Sequence, residues 1–464
     1  MKPSRCPPLL LSLALAASGV AQCHDLDGVT AVADDLLAQA PLAGNSCVRV
    51  DQFGSPVYER AFGSFTLAEV VPIASATKTL SAAVLLSLVD DGVLQLDDRV
   101  GQYLPEWNLG LRANITLRMC FAHTSGMQKT SSILADDTIT LRQAALQLAA
   151  LPLEYVPGST FAYGGISMHV AGAVCEVATG QSWDALFAQR IAAPLGMTAT
   201  DFAGFGVTSN PRIAGGAQSS LRDYARFVDM LRAGGTWNGA QVLSQASVDE
   251  MLTDQTAGTA LGETPHPDQA PYGLGIWLER RDGNGDTTLA AAAGAFGFIG
   301  WVDRAHDASG VFLTRYLNQV TYPFVRRIWD ELDAALLPPG VQCVGIGSPQ
   351  CAAGAWLNAL SQPRSGNGDW ALRAARAPAN GLGVVLLGDV APSGVPFVDL
   401  LAFVDPLDVA TTIVADGDGV ADLPVPLPGG LSGLTFGLQA LWLFDDPCPQ
   451  LDLQASHGLR VDVP

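Results

Sequence analysis

Pro72-Ile73-Ala74-Ser75-Ala76-Thr77-Lys78-Thr79-Leu80 is the stretch on which the fold turns. A serine and a lysine three residues apart meet on one face of a helix, which brings hydroxyl and amine within hydrogen-bond reach. Serine is a weak nucleophile at its free pKa and needs a neighbouring base. Lysine serves as that base once burial and nearby positive potential draw its pKa down. The unpaired N–H groups and dipole at a helix start supply such potential. The N–H of Ser75 can also face a developing oxyanion.

Alone, a Ser-x-x-Lys string is weak, because ordinary surface helices produce it often. Composition sharpens it: the chain holds only three lysines, Lys2, Lys78 and Lys129, and meets its other needs for positive charge with arginine. Arginine does not give up its proton in proteins, so it cannot replace a catalytic lysine. Lys78 also lies between Ile73-Ala74 and Leu80, an apolar setting that a solvated surface charge does not need.

Outward from this string, apolar residues at helical spacing predict a helix over 75–91, stopped at Gly92. Ahead of it, 31–40 reads as a helix, and 47–50 with 56–62 read as a hairpin around Gly54-Ser55. Behind it, the pattern stays mostly helical to about Pro265. Strands return at 272–279, 287–292, 297–302 and 310–315, and an amphipathic helix over 321–336 ends at Pro338-Pro339-Gly340. One sheet is therefore expected to be built from both ends of this region, around a long helical insertion.

Beyond Gly340 there is no lysine and a single histidine, and short apolar runs alternate with Gly, Pro and Asp turns. That spacing predicts a C-terminal β-sandwich over 343–464. Asp416-Gly417-Asp418-Gly419 lacks the rest of a calcium loop and reads as a hairpin turn.

The first 21 residues read as an export signal: Lys2 and Arg5, an apolar run from Leu9 to Ala17, then Gly19 and Ala21 at a cleavage site. Gln22 before Cys23 argues against a lipoprotein anchor. The domains are thus a signal at 1–21, a hydrolase domain at 24–338 and the sandwich, in a protein secreted to a bacterial periplasm or the extracellular space. Later apolar stretches are too short or too charged to span a membrane. The net charge of −20 repels polyphosphate, so nucleic acid is not expected as a partner.

Cutting after Ala21 leaves seven cysteines in a compartment that permits disulfides. Cys23 with Cys47 and Cys343 with Cys351 make plausible local bridges, while Cys120 and Cys175 read as buried thiols. No histidine stands at ligand spacing from a cysteine, so neither a metal nor a cofactor is expected.

Further strings follow in order: Asp97-Asp98-Arg99-Val100, Tyr103-Leu104-Pro105, His123-Thr124-Ser125-Gly126-Met127, Pro157-Gly158-Ser159-Thr160-Phe161-Ala162-Tyr163 and Pro194-Leu195-Gly196-Met197. With Ser75-Ala76-Thr77-Lys78 they make residues 30–335 resemble the serine β-lactamase and penicillin-binding protein superfamily, in its branch of class C β-lactamases, family VIII carboxylesterases and D-stereospecific peptidases. The resemblance implies an α/β (α+β) β-lactamase/transpeptidase-like fold, an antiparallel sheet flanked by helices. It also implies that Ser75 is acylated, that Lys78 takes part in activating it, and that Tyr163 shares the proton transfers, its phenol eased by the neighbouring ammonium. The backbone N–H groups of Ser75 and Ala295 match the oxyanion donors.

Two departures stand out. Gly165 replaces the Asn of the family's Tyr-x-Asn motif, removing an amide that would hold substrate and lysine. Ala292-Ala293-Gly294 replaces the motif whose Lys, His or Trp binds a substrate carboxylate. Ala292, Gly294 and Gly165 are therefore expected to form a trimmed substrate site that suits a small ester over a β-lactam. His123 is expected to be structural and away from the chemistry, and Trp301 and Tyr272 fit either pocket or sheet. Two other readings stay open: a weakly active or non-catalytic surface protein with a decayed site, its sandwich contacting cell surface or matrix, and a β-lactamase or D-alanyl-D-alanine carboxypeptidase.

Overall fold

A computed structural model describes residues 24–344, 356–397, 400–443 and 453–464. The signal segment at 1–21, Cys23, Cys351 and Cys448 lie outside the described residues. The chain divides into two compact units, one spanning Leu26–Pro339 and one containing Gly340–Pro464. His24 and Asp25 group with the second unit, where Arg376 pairs with Asp25 at 2.6 Å. The sequence reading had placed them in the first.

The first unit is built on a six-stranded antiparallel sheet. Helix α1 (Asp27–Gln39) precedes β1 (Ser46–Gln52) and β2 (Ser55–Phe62). Phe53 and Gly54 join these strands with φ of 52° and 75°, the two left-handed residues that a tight hairpin turn requires. After helices α2 (Thr77–Asp90), α3 (Ile166–Thr179) and α4 (Leu221–Arg232) come β3 (Trp277–Arg281), β4 (Thr287–Ala293), β5 (Ile299–Asp303), β6 (Ala308–Thr314) and α5 (Asn318–Ala335). The strand order is β2-β1-β6-β5-β4-β3, so β6 closes onto β1 and the sheet joins both ends of the unit.

Both faces of this sheet are covered. Val48, Val50, Ile299, Trp301 and Phe312 pack under α1 and α5, and Val302, Val311 and Leu313 pack with α2 and α4. Every residue of β6 is buried, which is why it reads as a continuous run rather than an alternating one. Trp301 meets Trp329 edge to face on the side of the sheet away from the helical insertion, so it packs the sheet. Helix α2 is buried from Thr77 to Leu88, a core helix with no polar face to lose.

The second unit is all-β. Strands β7 (Val341–Val344), β8 (Trp356–Ala359), β9 (Ala371–Ala375), β10 (Leu382–Phe397), β11 (Leu400–Val414), β12 (Ala421–Pro424), β13 (Thr435–Leu443) and β14 (Leu453–Asp462) form two antiparallel sheets, β7-β14-β13-β10-β11 and β8-β9-β12. Buried His457 on β14 bonds the Leu357 carbonyl on β8 at 2.8 Å and ties them together. The Asp416 turn is not a hairpin, because it links β11 to β12, which belong to different sheets. Its carboxylate accepts the N–H groups of Asp418 and Val420, a local use of the side chain that matches a turn role.

Cysteine pairing differs from expectation at one position. Cys47 is a free, buried thiol in β1, its Sγ 3.3 Å from the Thr66 carbonyl, so the bridge to Cys23 does not form. Cys120 and Cys175 are free and buried, and Cys343 is disulfide-bonded.

Candidate active site

The helix that carries Ser75 starts later than its apolar pattern suggests. Ala74–Ala76 is a 3₁₀ turn and the α-helix begins at Thr77. Ala74 sits at φ 45°, a left-handed conformation that costs a residue with a Cβ and persists only when its surroundings enforce it. They do so through bonds from distant segments. Ile73 N–H donates to the Ala217 carbonyl (3.0 Å), Ala217 N–H donates to Thr77 Oγ1 (3.1 Å), and Tyr224 OH donates to the Ala76 carbonyl (2.8 Å).

Lys78 Nζ lies 3.0 Å from Ser75 Oγ and donates to the Ala214 carbonyl at 2.8 Å. Only 3% of the residue is exposed, and burial draws its pKa down to about 7. Desolvation accounts for the shift, where the sequence reading had added the helix dipole. Near neutral pH much of the lysine is therefore a neutral amine within hydrogen-bond reach of the serine hydroxyl.

Tyr163 departs from expectation more sharply. Burial pushes its phenol up to about 12, and the Ser75 and Tyr272 hydroxyls offset only part of this. The Lys78 ammonium does not ease it: Nζ lies only 4.6 Å from the ring centroid, but with a pKa of about 7 the lysine has lost its charge well before the phenol titrates. Tyr163 is thus a protonated donor within the site. Its ring stacks on Trp277 (5.2 Å between centroids), with Tyr272 edge-on behind it.

His123 is neither away from the site nor a triad member. Its ring lies 4.7 Å from that of Tyr163, it makes no hydrogen bond to Ser75, and burial with the nearby Lys78 charge holds it well below its usual pKa. It serves as neutral packing behind Tyr163. Tyr272 belongs to the same aromatic wall, with Phe161 and Trp277.

The two departures in sequence have structural counterparts. A Cβ on Gly165 would meet Leu134 Cδ1 at 3.3 Å and Ala214 Cβ at 3.6 Å, so the place of a longer side chain is filled. Lys78 receives its second acceptor from the Ala214 backbone instead. At the end of β4, Ala292 is buried in the core beneath the sheet, and Ala293, Gly294 and Ala295 line the cleft. Ala292 is thus not a substrate-facing residue, because strand alternation turns it inward. Gly294 has a packing reason: a Cβ there would stand 2.1 Å from the Ile73 carbonyl. That close approach brings Ala295, whose N–H makes no main-chain hydrogen bond among the described residues, to the Ser75 segment.

Ser75, Tyr163, Trp277 and Ala295 open onto a cleft of about 1060 Å³. Its walls also carry groups that sequence did not single out for the site. Lys129 pairs with Glu263. His266 Nδ1 accepts the N–H groups of Asp268 and Ala270, so Nε2 carries the proton and donates to Glu279 Oε2 at 3.1 Å, which Tyr322 also bonds at 2.6 Å. Nothing in the Pro265-His266-Pro267 string announces this network. Among the described residues one set has metal-ligand spacing, Asp303, His306 and Asp333. It lies outside the cleft lining, and its atoms already bond one another and Arg280.

The Beta-lactamase family profile matches residues 48–336. Esterase EstB of Burkholderia gladioli is 33% identical over 193 residues, 36% of this chain and 49% of EstB. Protein flp of Staphylococcus aureus is 29% identical over 28% of this chain and 27% of its own. The chain thus spans about half or less of the length of these curated relatives. A protein of Bacteroides dorei DSM 17855, whose solved structure carries the provisional name beta-lactamase, superposes with TM-score 0.60 at 28% identity, covering 66% of this chain and 98% of that one. A family VIII carboxylesterase of known structure does so at TM-score 0.54 and 17% identity, over 66% and 97%, a likeness of fold alone.

Proposed function

Because this chain belongs to the beta-lactamase family, we propose that it is a serine hydrolase that cleaves small carboxylic esters through an acyl-enzyme on Ser75. The observation that carries this reading is the buried Lys78 amine, with a pKa of about 7, set 3.0 Å from Ser75 Oγ. The neutral amine takes the serine proton as Oγ attacks the ester carbonyl. The N–H groups of Ser75 and Ala295 hold the oxyanion, a role that needs no particular side chain. Tyr163, protonated at neutral pH, donates toward the departing alkoxide and is reprotonated from Lys78. Water then enters, and Lys78 takes its proton as the water oxygen attacks the acyl carbonyl. The bond from the acyl carbon to Ser75 Oγ breaks, Lys78 returns the proton to Oγ, and the acid leaves.

The choice of ester over β-lactam rests on the missing clamp. The end of β4 that reaches the cleft offers no cation or polar side chain for a β-lactam carboxylate, and an alkoxide leaves more readily than an amine. The likeness to esterase EstB supports the same choice. The apolar run with basic flank at 1–21 further supports export to a periplasmic or extracellular site.

Intact mass after treatment with a fluorophosphonate tests the nucleophile. One adduct is expected, absent in Ser75→Ala, and an adduct that persists in the variant overturns the assignment. Turnover of 4-nitrophenyl butyrate against nitrocefin tests the substrate class. Faster nitrocefin turnover sinks the esterase reading.

A further inference from the structure

The cleft lacks a cation where the family motif on β4 would supply one, yet it does not lack a cation. Lys129, one of three lysines in the chain, is the single lysine or arginine among the described residues that line it. Its position is determined by backbone. Gly165 N–H donates to the Lys129 carbonyl at 2.7 Å, and a Cβ on Gly164 would stand 2.6 Å from Lys129 Cα. The two glycines after Tyr163 thus let the Lys129 strand of chain lie directly across them. The Cβ missing from position 164 is what admits the Lys129 backbone, because it would stand 2.6 Å from Lys129 Cα.

Lys129 is held by Glu263, whose carbonyl in turn accepts the Tyr163 N–H at 2.9 Å. The side chains of Lys129 and Glu263 are 47% and 57% exposed, and ion pairs so open to water hold their partners weakly. A substrate anion that reaches Lys129 displaces Glu263 at little loss. The rest of the lining near Ser75 is Tyr163, Trp277, Ala293 and glycine, which suits an uncharged body.

We propose that Lys129 is a specificity residue that selects esters bearing a carboxylate, with Glu263 as the internal partner it gives up on binding. The proposal deepens the esterase reading and rests on it. The cation comes from the loop beside Tyr163 and not from β4, so it recognises an anion at a different end of the substrate from the family's β-lactam clamp.

The test separates binding from turnover. In Ser75→Ala protein, calorimetry compares mono-(4-nitrophenyl) glutarate with 4-nitrophenyl valerate, and 4-carboxyphenyl valerate with phenyl valerate. At least one carboxylate probe is expected to bind about fivefold tighter than its neutral partner, the size of an exposed charge pair. Lys129→Met removes the preference, Glu263→Gln enlarges it, and added salt shrinks it. No preference in either pair, or one that survives Lys129→Met, overturns the proposal. In native protein the same ratio is read in kcat/KM. Valerate turnover without a carboxylate preference sinks this inference alone, and a preference in binding without turnover of any ester sinks the esterase reading alone.

Discussion

The segment from Ile73 to Thr79 and the residues that face it across the cleft are built in contrasting ways. The first is pinned by Ala214 and Ala217 in one loop, by Tyr224 on α4 and by Gly275 just ahead of β3. The second presents Ala293, Gly294 and Ala295 to the cleft, with Gly164 and Gly165 behind Lys129, positions that contribute backbone but almost no side chain. Groups that move protons need fixed geometry, whereas groups that hold substrate can be exchanged one at a time. The difference teaches that small residues on one side of the cleft are compatible with an ordered Ser75–Lys78 pair on the other, because the contacts that aim the serine come from backbone and from Tyr224.

The strongest way to break this comparison is to attack the pinned side. Ser75→Ala should abolish ester turnover, and Lys78→Met should lower kcat/KM by about 10³-fold, the scale of a lost general base. Thermal melting of Lys78→Met should show no loss of stability, because an amine desolvated in an apolar core opposes folding. A large fall in Tm would mean that Lys78 is structural.

Gly294→Ala probes the one point where the two sides touch. Its Cβ would collide with the Ile73 carbonyl, so Ala295 must move, and a loss of about 10² in kcat is expected, as for a removed oxyanion donor. Little change would show that Ala295 N–H is not that donor.

A pH profile sharpens the pinned side further. The folded pKa of Lys78 is about 7 against the usual 10.5, and the neutral form is the base. The value of kcat/KM should fall about tenfold per pH unit below 7 and level off above it. Between about 7 and 10.5 the unfolded chain binds the extra proton, so this group makes stability rise with pH across that window. A midpoint near 10 would contradict the buried-amine reading.

The smallest effect is expected from refilling the trimmed side. Gly165→Asn restores the family's amide, but Leu134 and Ala214 occupy its place and Lys78 already has an acceptor. A destabilisation of about 1 kcal/mol by overpacking is expected, without a gain in ester turnover. A marked gain, or new nitrocefin turnover, would show that the trimmed side limits catalysis.

Much of the fold was legible. The apolar run after Ser75 placed α2, and the strands at each end of the first unit closed into one sheet because their period-two or fully apolar patterns survive in any context. The second unit read as all-β from its turn spacing. The misreadings share one cause. The start of α2, the free thiol of Cys47, the inward Ala292 and the position of His123 depend on contacts with residues far along the chain, which local patterns do not carry.

Sequence by itself determined that Ser75 and Lys78 are neighbours, since helical rise places residues three apart together. It also showed that Ala292-Ala293-Gly294 carries no Lys, His or Trp to act as a clamp. Tertiary structure alone decided that Lys78 gives up its proton near neutral pH and that Tyr163 keeps its own, because burial and not residue type sets those pKa values. It alone supplied the Ala214 carbonyl, 136 residues from Lys78, and carried Lys129 into the cleft over Gly164 and Gly165. Proton affinity and proximity across the chain are properties of the packed interior, and they come into being only when the chain closes on itself.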